Sequence, residues 1–194
     1  EPQAGGVLAG CADGRTIEAD HVVLATGYVM PEFVPTGLHR LVSSWALATP
    51  RQAPARLWRE RALLWEAGDR YLYARTTDDD RIVIGGEDDA DLVDPAARDA
   101  AMPDKAATLL AKLRLLWPAA DARADHVWSG VFGTTVDGLP LIGGVPDRTR
   151  IHAAYGYGGN GITFSFLASR MIRRLIEGGR EAWFDDFAID RPGP

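Results

Sequence analysis

The feature that most constrains this chain is a strand, a glycine-rich turn and a long helix that follow one another near the C-terminus. The apolar segment 151–155 predicts a buried strand, and Gly156–Gly161 predicts the turn. The amphipathic segment after it predicts a helix to about Glu177, closed by Gly178 and Gly179. Glycines allow a close backbone approach to a flat or anionic ligand, and free N–H groups at a helix start favour negative charge. The unit predicts either such a binding site or a tight connection without a ligand.

The same turn formally matches a dinucleotide-binding fingerprint through Gly156, Gly158 and Gly161. That fingerprint needs an acidic residue about 20 residues further on, at the end of a second strand. Glu177 and Glu181 stand at this distance, but neither ends an evident strand. We therefore reject a dinucleotide-binding unit here.

Composition limits the possible classes of partner. The chain has 194 residues, 46% hydrophobic residues and a net charge of -6, which is typical of a soluble globular protein. The acidic balance argues against nucleic acid and anionic membranes as partners, and no apolar run is long enough to span a bilayer. The single cysteine, Cys11, supports neither a disulfide framework nor a multi-thiolate metal site. We expect a cytoplasmic protein with no metal.

Short strands account for most of the remaining chain. Asp13-Gly14 predicts a hairpin turn that joins two strands within 7–24. The second of these strands, the apolar run 21–25, is typical of a strand buried on both faces, as in a parallel sheet. Segments separated by polar turns, one of them at 67–69, predict an antiparallel meander. The further predicted elements are strands at 41–47, 62–65, 71–75, 81–84 and 126–134, a helix at 103–117, and a turn-rich segment at 135–144.

The chain begins with Glu1 rather than Met and opens almost directly into the strand-like segment 6–9. We therefore expect that it is entered midway and lacks an N-terminal segment.

Four segments, in order, resemble segments of the D-amino-acid oxidase-like superfamily of FAD-dependent oxidoreductases. The first resembles a strand ending in Ala-Thr-Gly, the second a substrate-domain strand, the third the Thr-x-Asp-Gly-x-Pro-x-Ile-Gly signature, and the fourth the flavin-contacting turn. They are 22–28, 43–49, 134–143 and 156–162. The nearest likeness is to the γ-glutamylputrescine oxidoreductase-like branch.

The resemblance implies an α+β fold that is the C-terminal part of a two-domain flavoprotein. Residues 1–36 would be returning strands of the FAD-binding α/β domain. Residues 37–134 would form an antiparallel β-sheet substrate domain that includes the predicted helix 103–117. Residues 135–194 would supply the C-terminal segment of the FAD domain, with the flavin-contacting turn and the long helix.

The resemblance also implies a set of non-covalent FAD contacts. Thr26 and Gly27 would lie near the pyrophosphate or ribose. The turn would run along the isoalloxazine ring, with the helix N-terminus facing the pyrimidine end, where amide donors favour hydride acceptance. The residues of this turn are Gly156, Tyr157, Gly158, Gly159, Asn160, Gly161 and Ile162.

The candidate substrate pocket consists of Tyr73, Arg75, Phe132 and Tyr157. The alternative for each aromatic residue is an ordinary place in the core, and the alternative for Arg75 is an ordinary surface charge. No residue stands out as an obligatory general base, so the catalytic residues stay unknown. Asp137 precedes Gly138 in a turn, which favours a structural Asx-type role.

The chain departs from the family pattern at two positions. Amino-acid oxidases of the family carry an arginine shortly before the Asp-Gly motif that pairs with the substrate carboxylate. That position falls at Phe132, and no arginine lies between Val127 and Asp137. The basic residue that some relatives carry in the glycine turn is Gly159 here. An amine, or an acid bound by Arg75, is therefore favoured over a simple α-amino acid.

We expect the chain to take part in FAD-dependent oxidation of a C–N bond in a small amine or amino-acid-derived substrate, with oxidative deamination by hydride transfer. Two alternatives stay open: a truncated or non-catalytic fragment that cannot hold FAD by itself, and a binding module for a protein partner. The sequence does not predict the oligomeric state.

Overall fold

A computed structural model describes residues 2–3, 5–68 and 71–194, with the side chains of Pro2 and Gln3 left out. The strands of the described residues are, in chain order, β1 (Pro2–Gln3), β2 (Gly6–Gly10), β3 (Thr16–Ala19), β4 (Val22–Leu24), β5 (His39–Ala48), β6 (Leu64–Trp65), β7 (Leu72–Thr76), β8 (Ile82–Asp89), β9 (His126–Thr135), β10 (Leu141–Val145) and β11 (Arg148–Tyr155). The helices are α1 (Pro95–Ala100), α2 (Met102–Leu116) and α3 (Gly161–Ile176). Short 3-10 segments lie at Pro54–Arg56, Arg59–Arg61, Gly158–Asn160 and Ala182–Phe187.

The chain divides into two compact units. Unit 1 comprises residues 1–41 and 132–194, and unit 2 comprises residues 42–131. The mixture of antiparallel sheets and helices confirms the predicted α+β class. The functional division at 36/37 and 134/135 stays a prediction.

Unit 1 contains two three-stranded sheets. In the first, β2 pairs antiparallel with both β1 and β3. Gly14 lies between β2 and β3 with φ +83°, a conformation that glycine adopts without strain, so the predicted hairpin turn is confirmed. Its second strand was predicted at 21–25, which is wrong, because β3 pairs with β2 and β4 pairs with β11 instead. In the second sheet, β11 lies between β10 and β4, pairing antiparallel with the former and parallel with the latter.

Strand β4 has the predicted parallel partner but not the predicted burial. Val23, at its centre, is 45% exposed, so burial on both faces is wrong. The reason is its place as the outer strand of this sheet. A sequence of consecutive apolar residues indicates a strand but does not say how many neighbours cover it.

The second sheet of unit 1 carries core residues on both faces. Helix α3 packs on one face, where the buried side chains are Ile142, Ala154, Ala168, Met171, Ile172 and Phe184. The other face buries Val7, Val34, Leu141, Val145, Ile151, Ala153, Tyr155 and Ile189. The predicted turn-rich segment 135–144 is wrong at its end, because residues 141–144 belong to β10 and pair with β11.

The principal sheet of unit 2 has the strand order β6-β7-β8-β5-β9. Strand β7 pairs antiparallel with both β6 and β8, which confirms the predicted meander. Asp69, the last residue of the turn predicted at 67–69, lies outside the described residues.

Helix α2 covers one face of this sheet. It lies within one residue at each end of the predicted helix, and Leu109 and Leu113 on it are fully buried against Trp45, Ile82 and Ile84. Burial of each leucine contributes about 1.5–3 kcal/mol. The short helix α1 before it was not predicted, although Asp94 caps it by accepting a hydrogen bond from the amide of Ala97 at 3.0 Å. None of the described helices has both the length and the apolar character of a bilayer-spanning segment.

Candidate functional site

The glycine turn follows β11 directly and leads into α3. Gly156 and Gly158 have φ values of +75° and +55°, a region that favours glycine. The amide of Asn160 donates to the carbonyl of Tyr157 at 3.2 Å, closing a 3-10 turn before α3 begins at Gly161. The predicted strand, turn and helix are therefore confirmed as structural elements.

The N-terminus of α3 has neither a side-chain cap nor a compensating acid. Asn160 stands at the N-cap position, but its side chain makes no capping hydrogen bond, and the first turn contains no acidic residue. The amide N–H groups of this turn and the helix dipole therefore give a positive end. Open space adjoins it, because a Cβ atom added at Gly159 or Gly161 would meet nothing within 4 Å. Both properties fit a flat ring that carries partial negative charge, as FAD does.

The glycine turn rests closely on the segment that precedes Asp137. A Cβ atom at Gly156 would lie 2.9 Å from Cγ2 of Thr135, and one at Gly158 would lie 3.6 Å from Oγ1 of Thr134. Thr134 and Thr135 thus fix the backbone position of the turn on one side, while Gly159 is exposed to solvent.

Thr26 and Gly27 lie at the same sheet edge as the glycine turn. In the parallel register Leu24 is opposite Ala153, so the segments that leave β4 and β11 emerge side by side. Ligands of open α/β sheets bind at this carboxyl edge. Oγ1 of Thr26 donates to the carbonyl of Val29 at 2.6 Å, and Gly27 has φ +76°. The predicted FAD-contacting residues of β4 and β11 thus share one edge, and their contact with FAD stays a prediction.

The Asp137–Gly138 turn is structural. Oδ1 of Asp137 accepts a hydrogen bond from the amide of Leu139 at 3.1 Å, which confirms the predicted Asx-type contact. The buried guanidinium of Arg191 forms two 2.8 Å bonds to this carboxylate. The hydrogen bonds from Arg191 lower the pKa of Asp137 to about 2.

His39 is a feature of this region that sequence reasoning missed. Its ring contacts that of Tyr155 edge to face, with 5.4 Å between centroids, and the phenol of Tyr155 donates to the carbonyl of Pro35. Nε2 of His39 is buried without a hydrogen-bond partner, and burial lowers the pKa of the imidazole. Nothing in the sequence around His39 indicates that its imidazole is buried against Tyr155.

The four predicted pocket residues fall in both units. Tyr73 and Arg75 point away from α2, because Leu72 and Ala74, which alternate with them along β7, enter the core. Tyr73 packs over Gly85, and burial raises the pKa of its phenol. The Arg75 side chain is exposed and donates weakly to the carbonyl of Thr76 at 3.4 Å. Phe132 and Tyr157 are half-buried in unit 1, and the grouping of the four into one pocket stays a prediction.

A cavity of about 500 Å³ lies elsewhere, between the second half of α3 and the C-terminal 3-10 segment. Its lining includes Arg170, Arg174, Trp183 and Phe184. No lining residue belongs to the predicted flavin or substrate site, so this cavity is not the predicted one.

Three known proteins are similar to this chain, one in sequence and two in structure. Gamma-glutamylputrescine oxidoreductase of Escherichia coli (strain K12) is 36% identical over 118 residues, which cover 60% of this chain and 25% of that protein. Glycine oxidase from Geobacillus kaustophilus superposes with a TM-score of 0.76 at 24% identity, covering 98% of this chain and 50% of that chain. For iminodiacetate oxidase from Chelativorans sp. BNC1 the TM-score is 0.77 at 18% identity, with 96% and 50% covered.

The structural likenesses, below 25% identity, show the shared fold. The chain spans about half the length of these two solved structures. A sequence profile of the family described as FAD dependent oxidoreductase (DAO) matches residues 1–175. The matched segment contains the glycine turn, the start of α3 and Thr26 and Gly27 after β4, and on this match the chain belongs to the DAO family of FAD-dependent oxidoreductases.

Proposed function

We propose that this chain is the ring-contacting and substrate-binding part of an enzyme that oxidises a C–N bond in a small amine. The observation that carries the proposal is the uncapped, acid-free N-terminus of α3 behind an open glycine turn. FAD, when bound, supplies the two-electron chemistry, and the imine product is hydrolysed by water.

The residues of the chain would orient the cofactor and provide an electric field. The amide groups that open α3 would donate hydrogen bonds to the pyrimidine side of the ring, where negative charge develops. Gly159 and Asn160 would border the ring, and Thr26 and Gly27 would lie against the ribose or pyrophosphate. Tyr73, Arg75, Phe132 and Tyr157 would line the substrate pocket. No side chain is assigned as general base.

The choice of an amine over an α-amino acid rests on the available cations. A buried carboxylate needs a paired donor, and a bidentate arginine is the strongest partner. No arginine lies between Val127 and Asp137. Arg191, which contacts this segment, is already occupied by Asp137 and by the carbonyls of Leu139 and Pro140. Arg75 is an exposed cation without an ion-pair partner among the described residues, and we assign it to an acidic group of a longer substrate.

A matched pair of substrates tests the proposal. Pentylamine and norleucine differ by one carboxylate at the reacting carbon. We expect anaerobic bleaching of the flavin absorbance of the complete protein with pentylamine, at a second-order rate at least about tenfold above that of either norleucine enantiomer. Faster bleaching by norleucine, or none by any amine, contradicts the proposal.

The second candidate is a chain that carries this site but does not hold FAD by itself. The observation that favours it is the coverage of about half of each solved relative. Titration of the 194-residue chain with FAD, followed by the visible flavin band, tests this second candidate directly. We expect weak binding or none for this chain alone, and a stoichiometric flavin spectrum would contradict that expectation.

A further inference from the structure

Three aromatic side chains and one carboxylate lie together on the face of the unit 2 sheet that is opposite α2. Trp65 on β6 and Tyr73 on β7 are register partners, and Tyr71 precedes β7 on the same face. The ring centroids of Trp65 and Tyr71 are 6.4 Å apart, as are those of Tyr71 and Tyr73. The phenol of Tyr71 donates to Oδ2 of Asp88 at 2.8 Å. We call Trp65, Tyr71, Tyr73 and Asp88 the aromatic–acid face.

Asp88 differs from its two acidic neighbours in charge compensation. Glu87 pairs with Lys112 at 2.5 Å, and Asp89 pairs with Lys105 at 3.0 Å, both lysines lying on α2. Ile82 and Ile84 face α2, so regular alternation would turn Asp88 towards α2 as well, but β8 is irregular at Glu87, which has φ +58° where the pairing with β5 shifts register. Glu87 and Asp89 therefore face α2, and Asp88 lies on the opposite face beside Tyr71. No cation among residues 5–68 and 71–194 lies within ion-pair distance of Asp88. Among the described residues, β8 therefore places one negative charge without a cation partner beside the aromatic rings.

The second oxygen of Asp88 also lacks a donor. Oδ1 is buried and has no hydrogen-bond partner among the described residues, whereas Oδ2 has the Tyr71 hydroxyl. Burial and the neighbouring Asp88 raise the pKa of Tyr71, so this phenol stays protonated and can only donate to one oxygen. A carboxylate without a nearby cation is costly, and Asp88 as a whole is only half-buried, so an ammonium group beside it supplies the missing positive charge.

The aromatic rings favour the same ligand. A cation is attracted to the faces of tryptophan and tyrosine rings, and an alkyl chain packs on them. Trp65 is 67% exposed, so its ring is open to a ligand. Arg75 lies on the same face four residues along from Tyr71, about 13 Å away by strand rise. The Arg75 side chain is exposed, so solvent and salt screen its repulsion of a cation.

We infer that the aromatic–acid face binds the alkylammonium group of a small amine, with the ammonium at Asp88 and the alkyl chain along Tyr71, Tyr73 and Trp65. This inference rests on the proposed function, because it identifies the ligand with the substrate of the same enzyme. An amine must be neutral to lose a hydride, whereas an ammonium held by a carboxylate keeps its proton. The group at Asp88 is therefore the non-reacting nitrogen, and the substrate class is an amine with two nitrogen centres.

Binding of two probes of similar length and opposite charge to the complete protein tests the site without turnover. Butylammonium carries the expected charge, and butyrate carries the opposite charge on a chain of nearly the same length. We expect ligand-observed NMR titrations to give a Kd for butylammonium at least about fivefold below that for butyrate. Asp88→Asn keeps the side-chain shape and should weaken butylammonium binding at least about fivefold.

Two further variants separate the site from general effects. Asp78→Asn removes the same charge from the exposed turn of the same hairpin and should leave the Kd unchanged. Trp65→Ala alters an exposed ring on the outer strand and should weaken butylammonium about two- to fivefold, which keeps the test available if Asp88→Asn fails to fold. A loss below fivefold in a folded Asp88→Asn protein, or an unchanged Kd in Trp65→Ala, overturns the inference.

Turnover distinguishes this inference from the proposed function. With 1,4-diaminobutane as substrate, Asp88→Asn should raise KM at least about fivefold and leave kcat within about twofold, because the contact is made equally in the ground and transition states. Oxidation of amines with no dependence on Asp88 leaves the proposed function standing and overturns the ammonium site. Asp88-dependent binding of butylammonium without oxidation of any amine supports the ammonium site and contradicts the proposed function.

Discussion

Arg191 and Asp137 form a bidentate ion pair that fastens the C-terminal segment to the Asp-Gly turn. Nε and Nη2 of Arg191 each lie 2.8 Å from one carboxylate oxygen, and the side chain of Arg191 is 7% exposed. The same guanidinium donates to the carbonyls of Leu139, Pro140 and Ala188. This arrangement supports the segment on which the glycine turn rests.

Removal of the guanidinium should destabilise the protein. We expect Arg191→Ala to lower the free energy of unfolding by about 2–4 kcal/mol, because it leaves a half-buried carboxylate and several carbonyls without their donor. Urea unfolding measures this change. Arg180→Ala, which breaks the exposed pair with Asp185, is the matched control and should cost much less. Equal decreases in the free energy of unfolding of the two variants would contradict a particular stabilising role of the Arg191 contacts.

The same pair should make stability depend on acid pH. The pKa of Asp137 is about 2 in the folded protein against an ordinary 3.8, so the unfolded chain takes up a proton first. The stabilisation is complete above pH 3.8 and is lost as the pH falls towards 2. Allowing for solvent screening, the advantage of wild type over Asp137→Asn should shrink by about 1–2 kcal/mol between pH 5 and pH 2.5. An advantage that does not change over this range contradicts the assignment.

The close contact of Tyr73 with Gly85 leaves no space for a methyl group at Gly85. A Cβ atom at Gly85 would lie 2.3 Å from the Tyr73 hydroxyl and 2.4 Å from the ring, so the ring has to move. We expect Gly85→Ala to destabilise the protein by about 1–3 kcal/mol in thermal or urea unfolding, and Tyr73→Ala to remove most of that effect when combined with it. Gly130→Ala is the control, because nothing lies within 4 Å of its added Cβ. A destabilisation that persists unchanged without the Tyr73 ring would refute the contact.

Burial of His39 should make stability fall below neutral pH. Burial lowers the pKa of His39 from 6.5, so its contribution is present above pH 6.5 and is lost as the pH falls through the folded pKa. We expect urea unfolding between pH 8 and pH 5 to show a smaller loss of stability in His39→Gln than in wild type. If His39→Gln keeps the full pH dependence, another group is responsible.

The elements that follow from local pattern were predicted well. Helices α2 and α3 carry long apolar stripes with proline or glycine at their ends, and both were predicted to within about one residue. Strand β10 was missed because Pro140 and two consecutive glycines hide a strand whose backbone bonds come from β11. The exposure of Val23 depends on which strands lie beside β4, which a local pattern does not contain.

The candidate site was predictable where it lies in one contiguous segment. The glycine turn and the start of α3 could be recognised from spacing, and the Asx role of Asp137 from its turn. The partner of Asp137 could not, because Arg191 lies in a C-terminal segment without periodicity. The position of Asp88, which has no cation partner among the described residues, was also hidden, because Glu87 and Asp89 beside it are equally acidic. The irregularity at Glu87 that turns Asp88 away from α2 depends on the pairing of β8 with β5, which a local pattern does not contain.

The midpoint potential of the bound flavin tests the central claim most directly, since that claim places the amides opening α3 against the ring. Gly159 borders that position and has space for a side chain. In the complete, FAD-loaded protein, Gly159→Arg adds a positive charge and Gly159→Gln adds similar bulk without charge. We predict that the arginine raises the potential by about 30 mV or more relative to the glutamine, because it stabilises the negative charge of the reduced ring. Equal potentials in the two variants would contradict the account.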